Sequence, residues 1–142
     1  MNVQLTDAAE LIGQIENAAT IAAVAAADGA LESARLGRPA DTVIDALVGG
    51  GLNTLSLPKA HSYAQASTKT QLEVFAALAE ADASAAWVAS QYNAVNHMIC
   101  AFGDAALEEF LSSDAPRAAG VFSPTGTGSR VDGGYMVQGR YA

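Results

Sequence analysis

The sequence is poor in the residues that build several common classes of site. It has one cysteine and two histidines in 142 residues, so a disulfide framework is excluded and no metal site is expected. Only seven residues are basic, against 15 acidic ones, and the basic residues are scattered. Nucleic acids and anionic membranes bind to clustered positive charge, so neither partner is expected.

Long apolar runs are also missing. The most apolar stretch, residues 18–27, is about half the roughly 20 residues that cross a bilayer. Its flanks are polar or acidic, and no basic segment precedes it as in a signal peptide. We therefore expect a cytoplasmic protein. Cys100 lies among apolar residues, and a buried free thiol is expected there.

Small aliphatic residues carry most of the hydrophobic content, which is 51% of the chain with only 6% aromatic residues. This composition favours alanine-rich helices that pack closely. Apolar residues at steps of three and four predict about six helices, with Gly29 ending or loosening the first. The predicted helices are residues 5–28, 31–36, 40–48, 69–80, a longer one from Asp82 to Gly103, and 105–111.

Cap residues and one long apolar stripe refine this prediction. Thr68, Asp82 and Asp104 are each followed by a helical pattern and are predicted to cap it. The predicted buried stripe of the longer helix is Val88, Tyr92, Val95, Ile99 and Phe102. Trp87 is also expected in the core. Residues 52–67 contain a proline and no sustained period, which predicts a loop over the helices.

The pattern changes after Arg117, where turn-forming residues separate short runs typical of strands. Asp132-Gly133 with Gly134 lies between residues 129–131 and 135–142, which predicts a β-hairpin. A lone hairpin is marginal, so the rest of its sheet is expected from further chain. We predict a helical domain over residues 1–117 and the start of a truncated β-domain over residues 118–142.

Four segments in this order resemble the acyl-CoA dehydrogenase family and the flavin-dependent monooxygenases similar to it. They are DTVIDALVGGGL at 41–52, EVFAALAEADASAAWV at 73–88, VFSPTGTGS at 121–129 and VDGGYMVQGRY at 131–141. The second contains ADxSxxWV, which recurs among the monooxygenases. The third segment occupies the position that TEPGAGS has in the dehydrogenases. Residues 59–65 depart from the family, which usually has a YGG turn there.

The resemblance implies a mainly α, acyl-CoA-dehydrogenase-type helical domain followed by the first strands of a β-domain. It further implies the N-terminal fragment of a two-component monooxygenase that uses reduced flavin and oxygen to hydroxylate an aromatic or similar organic substrate. FMN is favoured over FAD. A separate flavin reductase is the implied partner, and the full-length protein is expected to be a homo-oligomer. The fragment alone is expected to be inactive.

The resemblance also places a flavin beside the loop that leads into the hairpin. Glycines let a backbone approach a ligand closely, and hydroxyl groups donate hydrogen bonds. From the residues alone, SPTGTGS is equally a turn-rich loop. The residues predicted to bind the cofactor are Phe122, Ser123, Thr125, Gly128 and Ser129.

The long helix is placed by the resemblance beside the substrate pocket, with Tyr92, Asn93 and Asn96 as substrate-binding candidates. Alternatively, Tyr92 belongs to the core and Asn93 is solvated. Many of the monooxygenases have a His-Asn pair eight and nine residues after the tryptophan, where this chain has Val95 and Asn96. His97, one step later, is the candidate catalytic base, with a partly buried structural histidine as the alternative.

Two other functions stay open at this point. One is an FAD-dependent acyl-CoA dehydrogenase, which would pass electrons to an acceptor without using oxygen. The other is a non-catalytic helical module that pairs its hairpin with another protein. Slow hydrogen exchange in residues 119–142 of the isolated chain would favour the module, and fast exchange there would favour a truncated enzyme.

Overall fold

The computed structural model describes residues 8–123 and 125–140. Within these ranges the chain forms five α-helices and one antiparallel pair of strands, so the mainly α class is confirmed. The helices are α1 Ala8–Leu36, α2 Asp41–Gly49, α3 Thr68–Ala81, α4 Ala83–Ile99 and α5 Asp104–Leu111, and the strands are β1 Gly126–Val131 and β2 Gly134–Gly139. Short 3-10 turns occupy Lys59–His61 and Cys100–Phe102.

Helix α1 runs without a break through Gly29, so the predicted division into two helices is wrong. Gly29 is buried where α1 crosses α2, and a Cβ placed on it would lie 2.8 Å from Cγ2 of Val43. The missing side chain lets the two helices approach closely, and this packing outweighs the cost of about 1 kcal/mol for glycine in a helix. The helix ends instead at Gly37, whose φ is +66°.

Gly29→Ala is expected to lower the free energy of unfolding by about 1 to 2 kcal/mol, because the overlap with Val43 outweighs the gain in helix propensity. Gly13 lies in the same helix, and a Cβ placed on it would meet no atom within 4 Å. Gly13→Ala should therefore raise the free energy of unfolding by about 0.5 to 1 kcal/mol. Urea unfolding of both variants measures the difference, and equal effects would contradict the close approach.

The turn between α1 and α2 is held by side chains as well as by Gly37. The hydroxyl of Ser33 donates to the carbonyl of Gly29 at 2.9 Å and accepts from the amide of Ala40 at 2.9 Å. Arg38 pairs with Asp41 at 2.7 Å on the surface. The hydrogen bond and positive charge of Arg38 lower the pKa of the Asp41 carboxyl below its usual value.

Of the three predicted helix caps, the structure shows one. Asp82 caps α4, because its side chain accepts from the amide of Ala85 at 2.8 Å, as predicted. The cap of α3 is Ser67 rather than Thr68, and its hydroxyl accepts from the amide of Thr70. Asp104 is the first residue of α5 and makes no cap, since the preceding Gly103 has φ +95°.

The core lies between α1, α2, α3, α4 and the loop after α2. Its fully buried leucines come from two helices and from this loop: Leu47, Leu52, Leu55, Leu57 and Leu78. The loop predicted for residues 52–67 is present, but its first part, residues 52–57, packs inside the domain instead of lying over the helices as predicted. The chain turns into the core at Gly51, whose φ is +69°.

The buried face of α4 differs from the predicted stripe. It consists of small and amide side chains: Ala85, Ala86, Ala89, Asn93 and Asn96. The larger residues predicted as core flank this face and are half-buried, while Phe102 is 74% exposed. Trp87, also predicted as core, is 66% exposed. Small side chains occupy the central positions because they let α4 approach its neighbours closely.

The predicted hairpin is present, with a two-residue turn at Asp132-Gly133. Val131 pairs with Gly134, and Gly126 pairs with Gly139 at the other end. Every residue of both strands is exposed. Along the part of the chain that the structure describes, no helix is long and apolar enough to cross a membrane.

Candidate functional site

Asn93 lies inside the domain and joins α4 to the loop after α2. Its amide nitrogen donates to the carbonyls of Leu52 at 2.7 Å and Ala89 at 2.9 Å, and its side-chain oxygen accepts from the amide of Ser56 at 3.0 Å. The Ser56 hydroxyl also donates to the backbone carbonyl of Asn93 at 2.8 Å. Asn93 is 2% exposed, so the alternative that it is solvated is wrong.

Asn96, one helical turn further, is fully buried and joins three segments. Its amide nitrogen donates to the backbone carbonyl of Asn53 at 2.8 Å, and its side-chain oxygen accepts from the amide of Ala118 at 3.1 Å. The side chain of Asn53 donates in turn to the carbonyl of Pro116 at 3.0 Å. Both amides that were candidates for substrate binding are thus hydrogen-bonded to backbone groups.

Tyr92 and His97 lie on different sides of α4, about 140° apart around the helix axis. Tyr92 is half-buried, on the same side as Val95. Val95 faces the segment before the hairpin, since a Cβ placed on Gly120 would lie 3.0 Å from Cγ2 of Val95. His97 is exposed, so the alternative of a partly buried histidine is wrong. The structure therefore does not bring His97 and Tyr92 to one site.

A groove of about 550 Å³ lies on the His97 side of α4. It runs between α3, α4 and the loop that connects α2 to α3, and Asn93 reaches its wall. Its lining includes Ser56, Gln71, Phe75, His97 and Cys100. Cys100 is a free cysteine and only half-buried, so the prediction of a buried thiol is corrected.

The predicted cofactor residues lie along the entrance to the hairpin. Phe122, Ser123, Thr125, Gly128 and Ser129 are all exposed, and Phe122 is 78% exposed. The amide of Thr125 donates to the carbonyl of Ser123 at 2.8 Å. Pro124, between them, lies outside the described residues. A Cβ placed on Gly128 would meet nothing within 4 Å.

The predicted cofactor residues present several kinds of contact group on the surface. An exposed aromatic ring, hydroxyl groups and an unobstructed glycine backbone together suit a planar ligand with polar edges.

Within residues 8–123 and 125–140, no group of three or more His, Cys, Asp and Glu side chains is placed to hold a metal ion.

Sequence reasoning missed the loop residues that complete the polar network, Asn53 and Ser56. Asn53 is 2% exposed and lies between buried leucines in the segment GLNTLSL. A polar residue inside a short apolar run is a signal for a buried hydrogen-bonding role. Its partners could not be read from the sequence, because Pro116 is 63 residues away.

No model of a known protein family matches the sequence. Two curated proteins, from two strains of Mycobacterium tuberculosis, are each 29% identical to it over 141 residues. Both are described as the oxygenase subunit HsaA of a flavin-dependent monooxygenase, and the match covers 99% of this chain and 35% of the relative.

One solved structure is similar in both fold and sequence. It is XiaF from Streptomyces sp. in complex with FADH2 and glycerol, with a TM-score of 0.78 and 30% identity. The match covers 93% of this chain and 33% of XiaF. The chain thus spans about a third of the length of the relatives it matches. The resemblance to flavin-dependent monooxygenases that the motifs predicted is confirmed.

Proposed function

We propose that this chain is the N-terminal portion of the oxygenase component of a flavin-dependent monooxygenase with the acyl-CoA-dehydrogenase-type fold. The observation that carries the proposal is the similarity of nearly the whole chain, in sequence and in fold, to about a third of such proteins. In this proposal residues 1–117 are the helical domain, and residues 118–142 begin a β-domain that further chain completes.

The proposed cofactor is reduced flavin, held in part by Phe122, Ser123, Thr125, Gly128 and Ser129. Their exposure and the open space at Gly128 support this role. When bound, reduced flavin would reduce O2, so that one oxygen atom passes to an organic substrate and the other is released as water. XiaF was solved with FADH2, which supports reduced flavin in general, and the preference for FMN stays a prediction.

The chain's own residues would orient the substrate and hold α4 in place, and they would not take part in the redox chemistry. Tyr92 is half-buried on the same side of α4 as Val95, which Gly120 approaches closely, and in this proposal its ring and hydroxyl orient an aromatic substrate. Asn93 and Asn96 would act in the substrate site by holding α4 in place, since their amides bind backbone groups. The role of His97 as catalytic base stays a prediction.

A reconstituted assay tests this function in the protein expressed from the whole reading frame. With a separate flavin reductase, NADH, flavin and a panel of phenols, we expect hydroxylated product in proportion to the oxygen consumed. The control omits the reductase and should give no product. Oxidation of acyl-CoA thioesters with transfer of electrons to an acceptor, without oxygen consumption, would instead establish an acyl-CoA dehydrogenase.

A further inference from the structure

The connection between the helices and the hairpin, residues 114–123, is held at two points. The carbonyl of Pro116 accepts from the side chain of Asn53 at 3.0 Å, and the amide of Ala118 donates to the side chain of Asn96 at 3.1 Å. Among the described residues these are the hydrogen bonds that join this connection to the helical domain. Pro116 is its one buried residue in the described range.

The two points belong to a single network. The amide nitrogen of Asn96 donates to the backbone carbonyl of Asn53 at 2.8 Å, so α4, the loop after α2 and the connection are linked. Asn96 is 0% and Asn53 is 2% exposed. The bonds from Asn53 to Pro116 and from Asn96 to Asn53 are buried and the bond from Ala118 to Asn96 is part-buried, so water competes little with them and leaving one of the buried groups unpaired is costly. The arrangement of the three segments is therefore well defined.

One close contact limits the path of the connection as it leaves this network. Gly120 passes so close to Val95 that an added Cβ would lie 3.0 Å from Cγ2 of Val95. From Ala118 to Ser123 the chain can extend at most about 17 Å, because each residue spans about 3.4 Å. The position of Ala118 thus limits where the loop before β1 can lie relative to α4.

We propose that Asn53 and Asn96 form a clamp that positions the flavin-binding loop against α4. The inference rests on the proposed function, because it takes residues 122, 123 and 125–129 as belonging to that loop. Both asparagines are positioning residues, which act through Pro116 and Ala118 rather than by touching the cofactor. The clamp sets the distance between the flavin face of the loop and the Tyr92 side of α4.

Amide hydrogen exchange on the 142-residue chain tests the clamp without any flavin. In Asn96→Ala, the protection of the Ala118 amide, measured relative to the Leu78 amide in the core, should fall about tenfold because its acceptor is gone. Asn93→Ala is the matched control, since it removes an equally buried amide on the same helix whose hydrogen bonds go to Leu52, Ser56 and Ala89 instead of residues 114–123. An equal fall in both variants would overturn the clamp.

A milder pair keeps the test decisive if those variants fold poorly. Asn53→Ala removes the hydrogen bond to Pro116 and should lower the relative protection of Ala118 about threefold. Thr54 follows Asn53 in the chain, and Thr54→Val removes the hydrogen bond that the Thr54 hydroxyl donates to the carbonyl of Gly51. This change should leave the relative protection of the Ala118 amide unchanged. Unchanged protection in Asn53→Ala would overturn the role of Asn53.

Binding of reduced flavin under anaerobic conditions, measured with FMNH2 and with FADH2, links the clamp to the cofactor in the protein expressed from the whole reading frame. Asn96→Ala should raise the Kd for whichever of the two binds more tightly about tenfold relative to Thr54→Val. Equal Kd values would overturn the positioning role. Absence of binding of both FMNH2 and FADH2 in the unmodified protein would overturn the proposed function and the positioning of its loop, while the exchange result would still decide whether the clamp exists.

Discussion

Replacing Asn93 with alanine is expected to lower the free energy of unfolding by about 3 to 5 kcal/mol. The change leaves the carbonyl of Leu52 and the amide of Ser56 without the partners that the Asn93 side chain provides. The buried carbonyl of Leu52 left unpaired costs about 1 to 3 kcal/mol, the part-buried amide of Ser56 costs less, and the space left by the side chain adds to both. Urea unfolding followed by far-UV circular dichroism measures the loss.

Asn17 provides the matched control for this substitution. It is exposed in the middle of α1, so Asn17→Ala removes the same side chain where water already serves as its partner. Its expected effect lies within about 0.5 kcal/mol, with a small gain in helix propensity. If Asn93→Ala were as mild as Asn17→Ala, the buried hydrogen bonds of Asn93 would not stabilise the fold.

Leu47→Ala is expected to destabilise the chain by about 2 to 5 kcal/mol. Leu47 is fully buried on α2, and alanine loses its apolar contacts and leaves a cavity that the neighbouring leucines fill only in part. Leu31 is also helical but 68% exposed, so Leu31→Ala should change the free energy of unfolding by less than about 0.5 kcal/mol. Similar losses in both would contradict the observed core.

Local signals in the sequence predict the elements whose structure depends on neighbouring residues. The hairpin turn at Asp132-Gly133 and the cap at Asp82 are both predictable in this way, because each depends on contacts within a few residues. The prediction at Gly29 is wrong for the opposite reason. Its surroundings in the sequence suggest a helix end, whereas its role is set by contact with Val43 on another helix.

In the candidate site, too, features set by local sequence are predictable and contacts between distant residues are not. The resemblance identifies the loop around Ser123 and the helix that carries Tyr92, but no local pattern indicates that Asn96 meets Ala118 and Asn53. Periodicity also favours large apolar residues as the buried face, so it selects Val95 and its neighbours over the alanines and asparagines of α4. Pairing over such distances is decided by the complete fold.

The hairpin has a consequence for the behaviour of this chain in solution. Both strands are exposed over their full length, and Tyr135, Met136 and Val137 form an uncharged run in β2. Backbone groups along an uncovered strand edge can pair with the same edge of another molecule, and such pairing grows with concentration. Self-association of the chain should therefore begin at β2, and a charged residue in this run would oppose it.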